Sequence, residues 1–153
     1  LAKTAPVATV TLDRPDDLNR MTPDSMALLG RIVQDLEFDD AIHAVIVTGA
    51  GDEMFSVGLL NPDIRAAMSK EQVIEFVRLA NIVFDALAAL PQIVIAAING
   101  DIMAGAVELA LACDIRLAAD DVTLMMPENA CISGSYPAKS FKGPLFPKAL
   151  ILQ

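Results

Sequence analysis

Ile93-Val94-Ile95-Ala96-Ala97-Ile98-Asn99-Gly100-Asp101-Ile102-Met103-Ala104-Gly105-Ala106-Val107-Glu108-Leu109-Ala110 passes from a β-branched run, through a glycine turn, into a short apolar stretch of small residues and leucines. Residues 92–98 read as a strand buried on both faces, Asn99-Gly100 as a turn, and residues 104–113 as a short helix. Upstream, residues 7–12 and 44–48 have the same β-branched character and read as strands. Between them Thr22-Pro23-Asp24 opens a helix with Met26, Leu29, Ile32, Val33 and Leu36 on one face. A second helix begins at the capping box Ser69-Lys70-Glu71-Gln72 and carries Val73, Val77, Ala80, Phe84 and Leu87. Residues 115–117 and 122–125 read as short strands. Strands alternating with helices predict an α/β fold with right-handed crossovers and mostly parallel strands.

The 153-residue chain is 54% apolar and 20% charged, which excludes disorder of the highly charged kind and predicts a buried core. A net charge of −9 argues against nucleic acid or an anionic membrane as partner, since both need a basic face. No apolar run is long enough to cross a bilayer. Two cysteines, Cys113 and Cys131, and a single His43 give neither a disulfide framework nor a metal-ligand set, so a reducing, cytoplasmic setting and no metal are expected. The chain starts at Leu1 without a signal-peptide pattern, which reads as a trimmed or processed start.

A strand ending at a glycine turn, followed by a helix start of small residues, leaves backbone N–H groups free to hold an anion or a developing oxyanion. Glu108 falls one turn into that helix among Val107, Leu109, Ala110 and Leu111, and burial there is expected to raise its pKa and suit it to proton transfer. The plainer reading, an acid favoured by the first turn of its own helix, stands beside it. Glu128 is a second carboxylate, at the end of Leu124-Met125-Met126-Pro127. A carboxylate pair is the usual equipment for acid/base work, although spacing alone does not bring the two together. The long connection of residues 49–68 contains Phe55-Ser56-Val57-Gly58-Leu59, and ordered loops of this length are often functional.

Residues 92–128, taken with Leu12-Asp13-Arg14-Pro15, Val47-Thr48-Gly49-Ala50-Gly51 and Phe55-Ser56-Val57-Gly58, resemble the N-terminal part of the enoyl-CoA hydratase/isomerase (crotonase) superfamily. The resemblance covers residues 5 to about 130 and is strongest from Asn99 to Asp114. It implies a crotonase-like core of repeated ββα units. It also implies an oxyanion hole formed by the backbone N–H groups of Leu59 and Gly105, and an acid/base pair, Glu108 and Glu128, that adds water across the 2,3 double bond of an enoyl-CoA. Substrate contacts are expected at Arg14, Leu18, Val57, Gly58 and Ala104. CoA enters as part of the substrate, no separate cofactor is expected, and a homotrimer or hexamer is implied.

The departures from the family pattern are specific. The family's three glycines are Ala104-Gly105-Ala106 here, and Leu60 replaces the aspartate common after the loop. Asp16 and Asp17 stand where many members carry a lysine beside CoA, which leaves Arg14, Arg20, Arg65 and Lys70 as candidates for its phosphates. The last 25 residues hold three lysines, three prolines and no acid. The expected organisation is therefore a core domain, 1–128, and an irregular tail, 129–153, with the family's C-terminal helical region missing or replaced. A hydratase is favoured by the presence of both glutamates. An isomerase, and a truncated non-catalytic protein of the same fold, are the alternatives.

Overall fold

The computed structural model describes residues 1–60, 62–126 and 149–152. The chain forms strands β1 (Ala2–Thr4), β2 (Val7–Leu12), β3 (Ala44–Gly49), β4 (Met54–Ser56), β5 (Ile93–Ile98), β6 (Asp101–Met103), β7 (Ile115–Ala119), β8 (Leu124–Met125) and β9 (Ala149–Leu152). Its helices are α1 (Pro23–Glu37), α2 (Pro62–Ala67), α3 (Lys70–Ala88) and α4 (Gly105–Leu111), with one 3₁₀ turn at Pro15–Asp17.

The strands alternate between two sheets. The larger has the order β1-β2-β3-β5-β7-β9, parallel except for the β1–β2 hairpin. The smaller is a parallel sheet in the order β4-β6-β8. Each strand pair β3/β4, β5/β6 and β7/β8 thus gives one member to each sheet, and α2–α3 and α4 follow the first two pairs. This is the mostly parallel ββα core expected from the sequence.

Both long helices begin where their caps predict. The Thr22 hydroxyl accepts from the Ser25 N–H while Ser25 Oγ accepts from the Thr22 N–H, and Ser69 and Gln72 exchange the same pair of bonds. Helix α1 buries Met26, Leu29, Val33 and Leu36, and α3, which packs on it, buries Phe76, Ala80, Val83, Phe84 and Leu87. Here the expected α3 face is corrected. Val77 is exposed, whereas Phe76 and Val83 join the core, because the buried stripe runs through 76, 80, 83, 84 and 87 and Val77 lies about 100° around the helix from Phe76.

In β5 the residues Val94, Ala96 and Ile98 are buried, while Ile95 and Ala97 are half-buried and Ile93 is exposed. A strand presents alternate side chains to opposite faces, so one face of β5 is fully covered and the other only in part, unlike the two-sided burial expected. Three short elements within the core, β4, β6 and α2, lie in stretches read as loop or turn, and β9 is a strand inside the segment read as an irregular tail.

Candidate active site at the ends of the small sheet

In parallel sheets ligands gather at the carboxyl ends of the strands. The candidate residues follow the small sheet in that way: Val57-Gly58-Leu59 after β4, and Ala104-Gly105 after β6. Backbone bonds tie β6 and its end to the β8 segment. The Ile102 N–H donates to the Thr123 carbonyl (3.0 Å), and the Ala104 N–H donates to the Met125 carbonyl (2.9 Å).

The approach of the first two ends is close. Gly58 has φ +86°, and a Cβ there would stand 2.8 Å from the Gly105 nitrogen and 2.8 Å from the Met103 carbonyl oxygen. Only glycine combines that backbone angle with so little space. The Leu59 side chain in turn lies over Gly105, where a Cβ would meet Leu59 Cδ1 at 2.8 Å. Gly105 opens α4, so its N–H has no acceptor within the helix, and no described residue accepts from the Leu59 N–H. Ala104, just before α4, is held at φ 50°, ψ −128°, a conformation L-residues rarely adopt.

The turn after β2 docks onto the same loop. The Val57 N–H donates to the Leu18 carbonyl (3.1 Å) and the Met21 N–H to the Gly58 carbonyl (3.0 Å). Leu18 and Asn19 both have positive φ, 52° and 53°. Leu18 is partly exposed and lines a cavity of about 120 Å³ with Pro15, Asp52, Glu53 and Met54. The structure therefore brings together Leu18, Val57, Gly58, Leu59, Ala104 and Gly105.

Arg14 stands on this turn, but its guanidinium is engaged. Asp17 accepts from Arg14 Nη2 at 3.0 Å and from Arg20 Nε at 3.1 Å. The Arg14 hydrogen bond, with Arg20 beside it, holds the Asp17 carboxyl below the usual carboxylate range.

The expectation for Glu108 is corrected in one respect: its side chain is exposed. Helix α4 has seven residues and buries Gly105, Ala106, Val107, Leu109 and Ala110, leaving Glu108 and Leu111, three apart, on the open side. Glu128 lies outside the described residues. Among the described residues, no three His, Cys, Asp or Glu side chains cluster as a metal ion requires, and no helix is long and apolar enough to cross a membrane.

Two asparagines position the site without having been singled out for that role. Asn19, 2% exposed, donates from Nδ2 to the carbonyls of Ala50 (2.8 Å) and Met54 (2.7 Å) and accepts from the Arg14 N–H (3.0 Å). Asn99 accepts from the Gly49 N–H and the Thr48 hydroxyl and donates to the carbonyls of Gly49 and Gly51. Asn99 belongs to the strongest stretch of the resemblance; for Asn19 the available signal was a turn residue tolerant of positive φ after Asp13-Arg14-Pro15.

Comparison with known proteins agrees with this architecture. A family model described as enoyl-CoA hydratase/isomerase matches residues 2–149. A short-chain-enoyl-CoA hydratase of Clostridium acetobutylicum is 38% identical over 131 residues, covering 84% of this chain and 49% of the relative. A crotonyl-CoA hydratase of Syntrophomonas wolfei is 32% identical over 128 residues, with the same two shares. The crystal structure of an enoyl-CoA hydratase from Bacillus anthracis superposes with a TM-score of 0.80 at 34% identity, over 85% of this chain and 50% of that one. The chain thus spans about half the length of the curated relatives it matches. Fold, motif positions and family match agree: the chain belongs to the enoyl-CoA hydratase/isomerase family and has the crotonase fold.

Proposed function

We propose that this chain carries the thioester-activating half of a hydratase that adds water to C3 of a 2,3-unsaturated acyl-CoA. The observation that carries the reading is the meeting of the Leu59 loop with the start of α4, 2.8 Å from a Gly58 Cβ to the Gly105 nitrogen. Two backbone donors there face the chemistry of a thioester carbonyl that becomes an enolate oxyanion when a nucleophile adds at C3. Fixed N–H dipoles aimed at that oxygen stabilise the charge as it forms and need no reorganisation.

In this mechanism Glu108 and Glu128 hold and activate the water. One carboxylate accepts its proton as oxygen bonds to C3, and a proton returned to C2 discharges the enolate. The names of the relatives from C. acetobutylicum and S. wolfei, both enoyl-CoA hydratases, support the substrate class. The chain carries no separate cofactor in this reading, and it assembles as a homo-oligomer.

The test is loss of enoyl-thioester absorbance with crotonyl-CoA. Hydration by the wild-type chain that falls about 10²–10⁴-fold in both Glu108→Gln and Glu128→Gln supports the assignment. Retained double-bond migration in Glu108→Gln would place the chain with the isomerases, and no turnover of either kind would leave a non-catalytic member of the family.

A further inference from the structure

Two peptide planes meet at Gly58, and the direction of the Leu59 N–H depends on both. In the trans peptide that joins Gly58 to Leu59 the carbonyl and the N–H point opposite ways. The Gly58 carbonyl accepts from the Met21 N–H at 3.0 Å, so this plane is held from the turn after β2. The preceding plane carries the Gly58 N–H, and its partner is a side chain: Ser56 Oγ accepts from it at 3.0 Å. Glycine, without a Cβ, does not fix its own φ and ψ. The angle between the two planes is therefore set by these two bonds from outside.

Ser56 is the last residue of β4 and is wholly buried. A buried hydroxyl is costly unless it is bonded, and packing alone is served better by an apolar side chain. The bond that Ser56 makes is local, to the N–H two residues on. With it, the three successive N–H groups of the loop are sorted. That of Val57 goes to the Leu18 carbonyl at 3.1 Å, that of Gly58 to Ser56 Oγ, and that of Leu59 has no acceptor among the described residues.

We propose that Ser56 is a positioning residue for the hydration: its hydroxyl engages the Gly58 N–H, so that this donor does not compete for the thioester oxygen, and fixes the plane against which the Leu59 N–H is aimed. The inference rests on the acyl-CoA reading above and deepens it, adding one side chain to an oxyanion site otherwise built of main chain. Ser56 acts through Leu59 and not by contact with the reacting atoms. Without the hydroxyl, the plane between Val57 and Gly58 is free to turn about the Gly58 φ while the Gly58 carbonyl stays on Met21, and the aim of Leu59 is lost.

The probe is butyryl-CoA carrying ¹³C at the thioester carbonyl, which has no double bond to hydrate. Its infrared C=O stretch is measured free and bound to the wild-type chain, to Ser56→Ala, to Ser56→Cys and to Ser69→Ala, which removes a hydroxyl that accepts from a backbone N–H at the start of α3. In parallel kcat and KM are measured with crotonyl-CoA. Wild type and Ser69→Ala are expected to move the stretch to lower wavenumber by the same amount, as donors on the oxygen do. Ser56→Ala is expected to leave it nearer the free value, with kcat lowered about 10–100-fold and KM changed by less than about twofold. Ser56→Cys, whose sulfur is a weaker acceptor, is expected to fall between. A wild-type stretch in Ser56→Ala overturns the positioning role, whatever that variant does to stability, and leaves the acyl-CoA reading standing. Should Ser56→Ala not fold, Ser56→Cys decides in the same way: an intermediate stretch supports the role and a wild-type stretch overturns it. A wild-type chain that leaves the bound stretch at its free value also overturns the role, and if crotonyl-CoA is not hydrated either, the acyl-CoA reading falls with it.

Discussion

Asn19 and Asn99 grip one loop on interleaved carbonyls: Asn99 Nδ2 donates to Gly49 and Gly51, while Asn19 Nδ2 donates to Ala50 and Met54. This loop leads from β3 of the large sheet into β4 of the small one, so its shape decides where Leu59 ends up. Asn19→Ala and Asn99→Ala are each expected to cost about 1–3 kcal/mol, because loop carbonyls lose their donors. Since both act on one loop, a double-mutant cycle in urea should show coupling of at least about 0.5 kcal/mol. Strict additivity would mean the two hold the loop independently.

Gly58→Ala meets two obstacles at once, a φ of +86° and contacts of 2.8 Å to Gly105 N and Met103 O. The expected loss is about 2–4 kcal/mol, read from the urea midpoint, together with loss of crotonyl-CoA turnover. A variant as stable as wild type would contradict the close approach of the two loops.

Ala104 points the other way. At φ 50°, ψ −128° its backbone carries about 1–3 kcal/mol of strain, and glycine removes it while losing about 0.5–1 kcal/mol to the greater freedom of the unfolded chain. Ala104→Gly should therefore stabilise the protein by about 1 kcal/mol. A lower melting temperature than wild type would show that the alanine methyl makes contacts worth more than the strain.

Cys113 is buried, with its Sγ 3.4 Å from the Leu109 carbonyl oxygen. Burial pushes its thiol up from 9.0 to about 12, against the pull of the Arg116 guanidinium. The neutral thiol is the form the fold keeps, so its contribution is intact below pH 9 and is lost as pH rises from there toward 12, where the unfolded chain has already released the proton. In the Cys131→Ser background, stability should decline more steeply between pH 9 and 11 than in Cys131→Ser/Cys113→Ala. In the same background the native thiol should resist iodoacetamide at pH 8 until the protein is unfolded. Rapid native alkylation would contradict the burial.

Strands β2, β3, β5 and β7 of the large sheet and both long helices were legible because their signals are local, whereas β1 and β9 at its edges were not read as strands. Capping boxes at Thr22 and Ser69 and β-branched runs at 7–12, 44–48 and 92–98 need no knowledge of what packs against them. Strands β4 and β6, each of three residues, were not legible. Three residues are too few to display a period of two, and their partners lie far away in sequence. Yet these strands carry the candidate site, which the sequence revealed only through Phe55-Ser56-Val57-Gly58 and Asn99–Asp114. Glu108 shows the complementary failure. Apolar neighbours in sequence predict burial, but on a seven-residue helix those neighbours take the inner face and turn the carboxylate outward.

Parallel neighbours in a sheet stand about 4.8 Å apart. An oxygen that accepts from two N–H groups at about 2.9 Å each holds their nitrogens roughly 5 Å apart. Because Leu59 and Gly105 follow adjacent strands at offsets of three and two residues, main-chain pairing is, in the mechanism proposed above, the gauge that spaces their two N–H groups. Side chains along β4 and β6, the Ser56 hydroxyl apart, can then vary without resetting that gauge. A slip in register can reset it, and the pairing of β4 with β6 already shifts between Met54 and Ser56.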